Sequence, residues 1–145
     1  MSSLLLPQSG SIPFAQQTEM SSRFWDGCRR GELLFQYFPA SGRAQFPPAR
    51  SDRASFGDAF EWRRSAGRGR VYSWSTVHRA PSPVFHTPYV VAIVCLEEGF
   101  EMISNIIGCR PEDVVEGLEV EVVFHAVNDD VTLPYFAPIA GPGHD

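Results

Sequence analysis

The alternation of apolar and polar residues is most regular over residues 67–81, which begin with a Gly/Arg-rich turn. Tyr72, Trp74 and Thr76 fall on one face of an extended chain there, and the residues between them fall on the other. β-Branched and aromatic residues repeating at period two are typical of a strand. Pro81 and Pro83 lack the N–H group that a β-ladder needs, and they therefore predict the end of this strand.

Four further strands are predicted C-terminal to this one. Residues 89–96 are continuously apolar, which predicts a strand that is buried on both faces or central in its sheet. Residues 100–107 return after a tight turn, residues 118–127 alternate, and residues 131–136 close the sheet. Proline, acids and glycine within residues 111–117 predict a short helix between the third and fourth strands. This order of elements is that of an OB-fold, a mainly β fold built on a five-stranded Greek-key barrel.

The residues before this barrel do not continue the period-two alternation of its strands. Residues 1–17 are rich in Ser, Gln and Pro and predict a loose or partner-bound arm. Apolar residues at helical spacing then predict a short amphipathic helix over 23–30, and a hairpin follows with strands over 33–38 and 43–46. We therefore divide the chain into four parts: a flexible arm (1–21), a helix with a hairpin module (22–60), the barrel (61–138) and a tail (139–145).

Composition narrows the class of protein. The chain has 145 residues, of which 43% are hydrophobic, enough for one core. No apolar run approaches the roughly 20 residues of a membrane helix, and Leu4-Leu5-Leu6 lacks the preceding positive charge of a signal peptide. Three cysteines without C-x-x-C spacing favour reduced thiols. We expect a cytoplasmic protein.

Charge is distributed unevenly along the chain. All 12 basic residues are arginine, and 11 of them lie at or before Cys95 together with 6 acids, a balance of +5. From Leu96 onward there are 1 arginine and 11 acids, a balance of −10, and the two halves sum to the net charge of −5. Solvated faces of opposite sign explain this pattern. An anionic ligand or partner bound by the N-terminal arginines is the other explanation.

The sequence offers no arrangement for stand-alone catalysis. The four histidines (His78, His86, His125 and His144) lie in no metal-binding spacing, and neither a G-x-S-x-G nor a P-loop motif occurs. The acid pairs Glu97-Glu98 and Asp129-Asp130 fall at predicted turns. We expect no catalytic residues in this chain.

Short motifs follow one another in order between about residue 23 and residue 138. They are Phe24-Trp25-Asp26-Gly27, Gly31-Glu32-Leu33, residues 42–48, 67–73 and 77–81, Pro88-Tyr89-Val90-Val91-Ala92, Gly117-Leu118-Glu119-Val120 and Leu133-Pro134-Tyr135-Phe136. Together they resemble the acyl-CoA-associated OB-fold family whose members carry an N-terminal rubredoxin-like zinc ribbon. The resemblance implies a non-catalytic accessory subunit of a CoA-ester enzyme, either a thiolase-like thiolase, aldolase or synthase or a hot-dog enoyl-CoA hydratase.

The sequence departs from this family at the zinc ligands. Where the family has cysteines, this chain has Phe38, Ser41, Asp52 and Ser55. Two hydroxyls, one carboxylate and a phenylalanine do not make the tetrahedral set of soft ligands that structural zinc requires. We expect no metal and no cofactor bound by this chain, with acyl-CoA as the substrate of the complex. The hairpin module should then be held by packing of its aromatic residues, namely Phe35, Phe38, Phe46 and Phe56.

Two sets of residues are candidates for contacts. His78 and Arg79 end the first barrel strand, and arginine suits the phosphates of CoA, although Arg79 could instead pair with a C-terminal acid. The aromatic residues of the N-terminal module could contact a partner enzyme, with core burial as the alternative for each. They are Phe24, Trp25, Tyr37 and Phe46.

A single-stranded nucleic acid is the alternative ligand. OB-folds bind single strands with exposed aromatics beside a basic groove, and Tyr72, Trp74, Arg68 and Arg70 could serve in this way. An isoelectric point near 5.3 and the acidic C-terminal third count against a phosphate-backbone ligand.

Overall fold

The computed structural model describes residues 3–9, 12–13, 17–52 and 57–139. Its one α-helix, α1, spans Ser22–Arg29. Three strands follow it and form a small sheet: β1 (Leu34–Phe38), β2 (Arg43–Gln45) and β3 (Glu61–Arg64). Five more form the barrel: β4 (Arg68–Val77), β5 (Tyr89–Leu96), β6 (Glu101–Ile106), β7 (Glu119–Ala126) and β8 (Thr132–Pro138).

The barrel has the predicted OB-fold architecture. Its strands close in the order β4-β5-β6-β8-β7, and the neighbouring strands are antiparallel except for β6 and β8. That parallel contact consists of a single pair, Ile106 with Phe136. The helix predicted over 111–117 is shorter in the structure, a 3₁₀ turn over Pro111–Asp113. No helix among the described residues is long and apolar enough to cross a membrane.

The barrel core comes from one face of each strand. In β5, buried residues alternate with half-buried ones, so the continuous apolar run of the sequence resolves into an inner face and a partly covered outer face. The inner side chains are Val90, Ala92, Val94 and Leu96. β4 approaches β5 closely at Gly69, where a Cβ atom would lie 2.4 Å from the carbonyl oxygen of Cys95.

The three-stranded sheet has the order β2-β1-β3 and includes one strand more than the predicted hairpin. β3 pairs with β1 along its whole length, from Leu34 opposite Arg64 to Tyr37 opposite Glu61. The boundary placed between residues 60 and 61 therefore separates β3 from the sheet to which it belongs. The barrel begins only at Arg68.

Aromatic rings join the small sheet to the barrel. Phe35 of β1 stacks on Phe100 with a centroid separation of 4.8 Å, and Phe46 lies 6.1 Å from the same ring. Phe24 of α1 contacts Phe46 at 5.1 Å. Helix, sheet and barrel thus share one hydrophobic core. Of the residues expected to hold the module, Phe56 lies outside the described part of the chain.

The described beginning of the chain packs on the barrel. Leu5 is 3% exposed, its N–H donates to the Cys109 carbonyl at 2.7 Å, and its carbonyl accepts from Gly108 N–H at 2.9 Å. Gln8 and Ile12 are also buried. The prediction of a loose arm over 1–21 is therefore wrong for residues 3–9, because Leu5 fills a place in the core. The tail predicted over 139–145 lies almost wholly outside the described residues.

Candidate functional site

A cleft of about 600 Å³ opens where β6 and β8 separate. We call it the seam cleft. Its floor consists of residues 102–105 of β6 and residues 133–135 of β8, and α1 and the β2–β3 connection cover it from the side. The lining is mostly apolar and includes Phe24, Trp25, Phe46, Pro47, Pro48, Phe85, Met102, Ile103, Leu133 and Pro134.

The seam cleft exists because β6 and β8 pair at only one position. Away from Ile106 and Phe136 the two strands diverge, and a side chain bridges them where the backbones do not. Ser104 Oγ donates to the Pro134 carbonyl at 2.8 Å. Parallel strands that diverge in this way leave a groove between them, which neighbouring elements must cover or a ligand must fill.

A loop on one side of the cleft is fixed by Gln8. The side-chain amide of Gln8 donates from Nε2 to the His86 carbonyl at 2.9 Å and accepts from the His86 N–H on Oε1 at 2.7 Å. The Gln8 N–H also donates to the Tyr135 hydroxyl at 3.1 Å. The first described segment thus connects the loop after β4 to strand β8. Phe85, beside His86, forms part of the cleft wall.

The structure places the predicted partner-contact residues in different environments. Trp25 and Phe46 are half-buried and line the seam cleft. Phe24 is 3% exposed and belongs to the core, so core burial accounts for this side chain. Tyr37 lies apart from the cleft lining, with the Arg63 guanidinium 3.6 Å above its ring centre.

The apolar surface continues past the cleft onto the outside of the barrel. A shallower depression of about 380 Å³ shares Phe46, Pro47, Met102 and Ile103 with the cleft and adds Ile93 of β5. Ile103 is 70% exposed, the largest exposure among the large apolar side chains in the described residues. Contiguous exposed apolar surface of this kind marks interaction sites.

The predicted anion-binding pair, His78 and Arg79, lies on the surface directly after β4. Both side chains are exposed, and within the described ranges Arg79 forms no ion pair. The alternative pairing of Arg79 with a C-terminal acid is therefore not found among the described acids. This guanidinium is open to solvent and to ligands.

The four family zinc positions do not form a metal site in the part of the chain that is described. Phe38 is 2% exposed and packs 5.6 Å from Phe60, while Ser41 Oγ donates to the buried Asp52 carboxylate. Ser55 lies outside the described residues. A phenyl ring offers no ligand atom and a hydroxyl is a poor zinc ligand, so these residues do not fit zinc. No group of three His, Cys, Asp or Glu side chains is close enough for a metal among the described residues.

The three thiols are unpaired, and burial opposes their ionisation. It raises the pKa of Cys28 to about 12. Burial, assisted by the charge of Asp113, raises the pKa of Cys109 to about 11. The pKa of Cys95 is also raised, by burial first and then by Glu101. Thiols in such surroundings are protonated at neutral pH and therefore weak nucleophiles.

Of the residues considered for nucleic-acid binding, the aromatic side chains are exposed, but the charge of Arg70 is partly neutralised by a neighbouring acid. Tyr72 is 60% exposed and Trp74 40% exposed, as stacking on bases would require. Arg70, however, pairs with Glu119 at 3.1 Å across β4 and β7. The neighbouring Glu121 adds further negative charge on the same strand.

Sequence reasoning missed Gln8. It lies in a polar segment without periodicity. No local signal distinguishes it, because its importance depends on the loop and the strand that the fold brings next to it.

Comparisons with known proteins match the barrel region and, in some relatives, most of the chain. A family model described as "ChsH2, C-terminal OB-fold domain" matches residues 62–125. The probable enoyl-CoA hydratase alpha subunit of Thermomonospora curvata is 32% identical over 118 residues, which are 79% of this chain and 36% of that protein. A DUF35 domain-containing scaffold protein of Methanocaldococcus jannaschii is 44% identical over 87 residues, 55% of this chain and 62% of that protein. The chain thus spans between about a third and two thirds of the length of these relatives.

Solved structures extend the likeness to nearly the whole chain. A chain of the "Ltp2-ChsH2(DUF35) aldolase" superposes with a TM-score of 0.78 and 27% identity, covering 86% of this chain and 98% of that one. A DUF35-family protein of Sulfolobus solfataricus shares the fold, with a TM-score of 0.62 at 11% identity and coverage of 83% and 86%. In sequence and in fold the chain is therefore similar to the acyl-CoA-associated OB-fold proteins of the DUF35 family, as its ordered motifs predicted.

Proposed function

We propose that this chain is a non-catalytic accessory subunit that binds a CoA-ester enzyme, thiolase-like or hydratase-like, and completes its CoA-ester site. One observation carries the proposal: the chain covers 98% of its counterpart in the Ltp2-ChsH2(DUF35) aldolase. Relatives are named as hydratase alpha subunits, among them the 3-oxo-4,17-pregnadiene-20-carboxyl-CoA hydratase alpha subunit of Mycobacterium tuberculosis, or as scaffold proteins. The reducing cytoplasm suits a chain with three free cysteines.

We propose that the partner binds the apolar surface that lines the seam cleft and the shallower depression beside it. The residues concerned are Trp25, Phe46, Ile93 and Ile103. These side chains come from α1, the β2–β3 connection, β5 and β6, which a shared core holds in place. Aromatic and large aliphatic residues are the usual centre of a protein interface.

The contact with CoA that we propose is made by His78 and Arg79. A guanidinium without an ion pair suits a phosphate, and the loop that follows it is held by Gln8. Arg79→Ala should weaken CoA-ester binding by the assembled complex roughly tenfold, the effect of one charge-assisted hydrogen bond. Arg43→Ala, an exposed arginine of the small sheet, is the control. Equal affinities for the two variants would contradict this contact.

The accessory role is tested by affinity capture of the tagged chain from its host, followed by mass spectrometry and by size-exclusion chromatography of the recovered complex. We expect a CoA-ester enzyme in stoichiometric amount. Trp25→Ala should lower its recovery, whereas Trp74→Ala, an exposed residue of β4 outside the lining of the cleft, should not. Recovery of the chain alone, or of nucleic-acid-binding proteins, would contradict the proposal.

A further inference from the structure

We propose that a small notch beside the seam cleft binds a carboxylate side chain of the partner enzyme between the guanidinium groups of Arg23 and Arg50. We call it the arginine notch, and its other lining residues are Glu19, Met20, Phe60 and Trp62. This inference rests on the proposed function, because it assumes that an enzyme subunit binds this chain. It identifies which of the N-terminal arginines meet an anionic partner.

Arg23 and Arg50 have no acid partner among the described residues, and both side chains are exposed. Other arginines of the helix and the small sheet form ion pairs, namely Arg29, Arg30, Arg63 and Arg64. Glu19 also lines the notch, but it forms an ion pair with neither arginine. Two cations and one anion leave the notch positive, and a concave positive site attracts a further anion.

Both guanidinium groups are carried by parts of the chain that are fixed in place. Arg23 is the second residue of α1, and the next residue, Phe24, is buried in the core. Arg50 follows Ala49, whose N–H donates to Gln36 Oε1 at 2.8 Å and whose carbonyl accepts from Gln36 Nε2 at 2.6 Å. Gln36 is itself fully buried in β1. Groups held in this way lose less conformational freedom on binding than groups on a mobile loop.

The size of the notch favours a side chain over a free small molecule. Its volume is about 200 Å³, below the roughly 300–1,000 Å³ of small-molecule sites. Phe60 and Trp62, whose ring centres lie 5.9 Å apart, form an aromatic wall that can contact the methylene groups of a glutamate. The planar fork of a guanidinium matches the two oxygens of the carboxylate.

The arginine notch adjoins the surface that we propose for the partner. Residues 18–25 contribute side chains to both the seam cleft and the notch, and so do residues 46–50. In α1, Arg23 lines the notch and Trp25 lines the cleft. A partner that covers the apolar surface therefore reaches the notch with the same face. An ion pair there would lie at the edge of an apolar contact, where interfaces usually carry their polar groups.

The first test uses the enzyme recovered with the tagged chain and measures its affinity by surface plasmon resonance. Arg23→Ala/Arg50→Ala should bind about tenfold more weakly than wild type, mainly through slower association, because the lost contact is ionic. The matched control Arg43→Ala/Arg68→Ala removes two exposed arginines outside the notch and the seam cleft, and it should bind as wild type does. Equal affinities of the two double variants would overturn the site.

A probe peptide tests the notch independently of the enzyme. Heteronuclear NMR of the purified chain would follow the side-chain Nε–H signals of Arg23 and Arg50. The titrants are acetyl-Leu-Glu-Glu-Leu-amide and its Gln-Gln counterpart. We expect the glutamate peptide alone to shift these two signals, and to shift them more than the signal of Arg68. Equal shifts with both peptides, or no shift, would refute the carboxylate site.

The two tests separate this inference from the accessory role. Recovery of an enzyme without shifts at the notch would contradict the notch alone. Shifts at the notch without recovery of an enzyme would support the anion site and contradict the accessory role. Inorganic phosphate that displaces the peptide at a lower concentration than the peptide requires would assign the notch to a free anion and refute the proposed occupant.

Discussion

The barrel and the three-stranded sheet are stabilised differently. The barrel closes on itself through backbone pairing, and its core residues alternate along each strand. The sheet has only three short strands and two free edges. It gains its position from Phe35 and Phe46, which pack on Phe100 of the barrel.

This difference supports the prediction that the small sheet is held by aromatic packing and not by a metal. A zinc ribbon is stabilised within itself, because bound metal supplies on the order of 10 kcal/mol of folding free energy. Here Ser41 and Asp52, at two of the positions where the resemblance implies zinc ligands, form a hydrogen bond with each other, and aromatic rings pack the sheet against the barrel. The sheet therefore depends on the barrel, and the barrel should depend much less on the sheet.

The largest change in stability is expected when a side chain of the barrel core is shortened. Phe136 is fully buried and pairs with Ile106 where the barrel closes. Phe136→Ala should lower the free energy of unfolding by about 3–5 kcal/mol, the usual cost of a large core cavity. Urea denaturation measures this, with Val84→Ala on the exposed loop as the control within about 0.5 kcal/mol of wild type. A loss below 1 kcal/mol would refute this role.

Phe35→Ala should destabilise the three-stranded sheet more than the barrel. Removal of this ring breaks the stack on Phe100 and should cost about 3 kcal/mol. Hydrogen exchange should show faster exchange of amides in β1, β2 and β3, while β5 amides retain their protection. If β5 loses protection to the same extent, the two regions unfold as one unit and the comparison fails.

Loss of the Gln8 amide should loosen the loop without unfolding either region. Gln8→Ala removes both bonds to His86 and should cost about 1–2 kcal/mol. Limited proteolysis should cut residues 81–88 faster than in wild type, while Gln17→Ala, an exposed glutamine, should not change the rate. Equal cutting of the two variants would show that the loop does not depend on this amide.

Alkaline pH should destabilise the protein through its buried thiols. Their pKa values are raised in the folded chain, to about 11 for Cys109 and about 12 for Cys28, whereas a thiol of the unfolded chain titrates near 9.0. The stabilising effect is complete below pH 9 and is lost as the pH rises toward these values, by up to about 1.4 kcal/mol per pH unit for each thiol. Denaturation at pH 8 and pH 10 measures this slope, which Cys109→Ala should reduce. An unchanged slope would exclude this thiol as a cause.

The smallest effect is expected from metal removal. EDTA should leave the Tm unchanged, and elemental analysis should find no stoichiometric zinc, because Phe38 has no ligand atom and the Ser41 hydroxyl is a poor zinc ligand. A stoichiometric zinc ion lost together with several degrees of Tm would overturn the view that the small sheet is held by aromatic packing.

Local patterns in the sequence predicted the elements better than their assembly. Period-two alternation gave the barrel strands, because a strand with one buried face must place apolar residues at every second position. The place of residues 61–64 in the small sheet was not predicted, because they look like any short strand and only pairing with β1 puts them there. The burial of Leu5 was missed because a three-residue apolar run is too short to show a period.

The sequence by itself determined the fold class, the family and the aromatic residues that the module would need. The tertiary structure decided which of those aromatics reach the surface: Phe24 is buried, whereas Trp25 and Phe46 line a cleft. It also decided that Gln8 binds the loop after β4 through hydrogen bonds to His86. The divergence of β6 and β8, which opens the seam cleft, is likewise visible only in the structure. All of these contacts are between residues that are far apart in the chain. The positions of such residues follow from packing between elements, and no local sequence pattern encodes that packing.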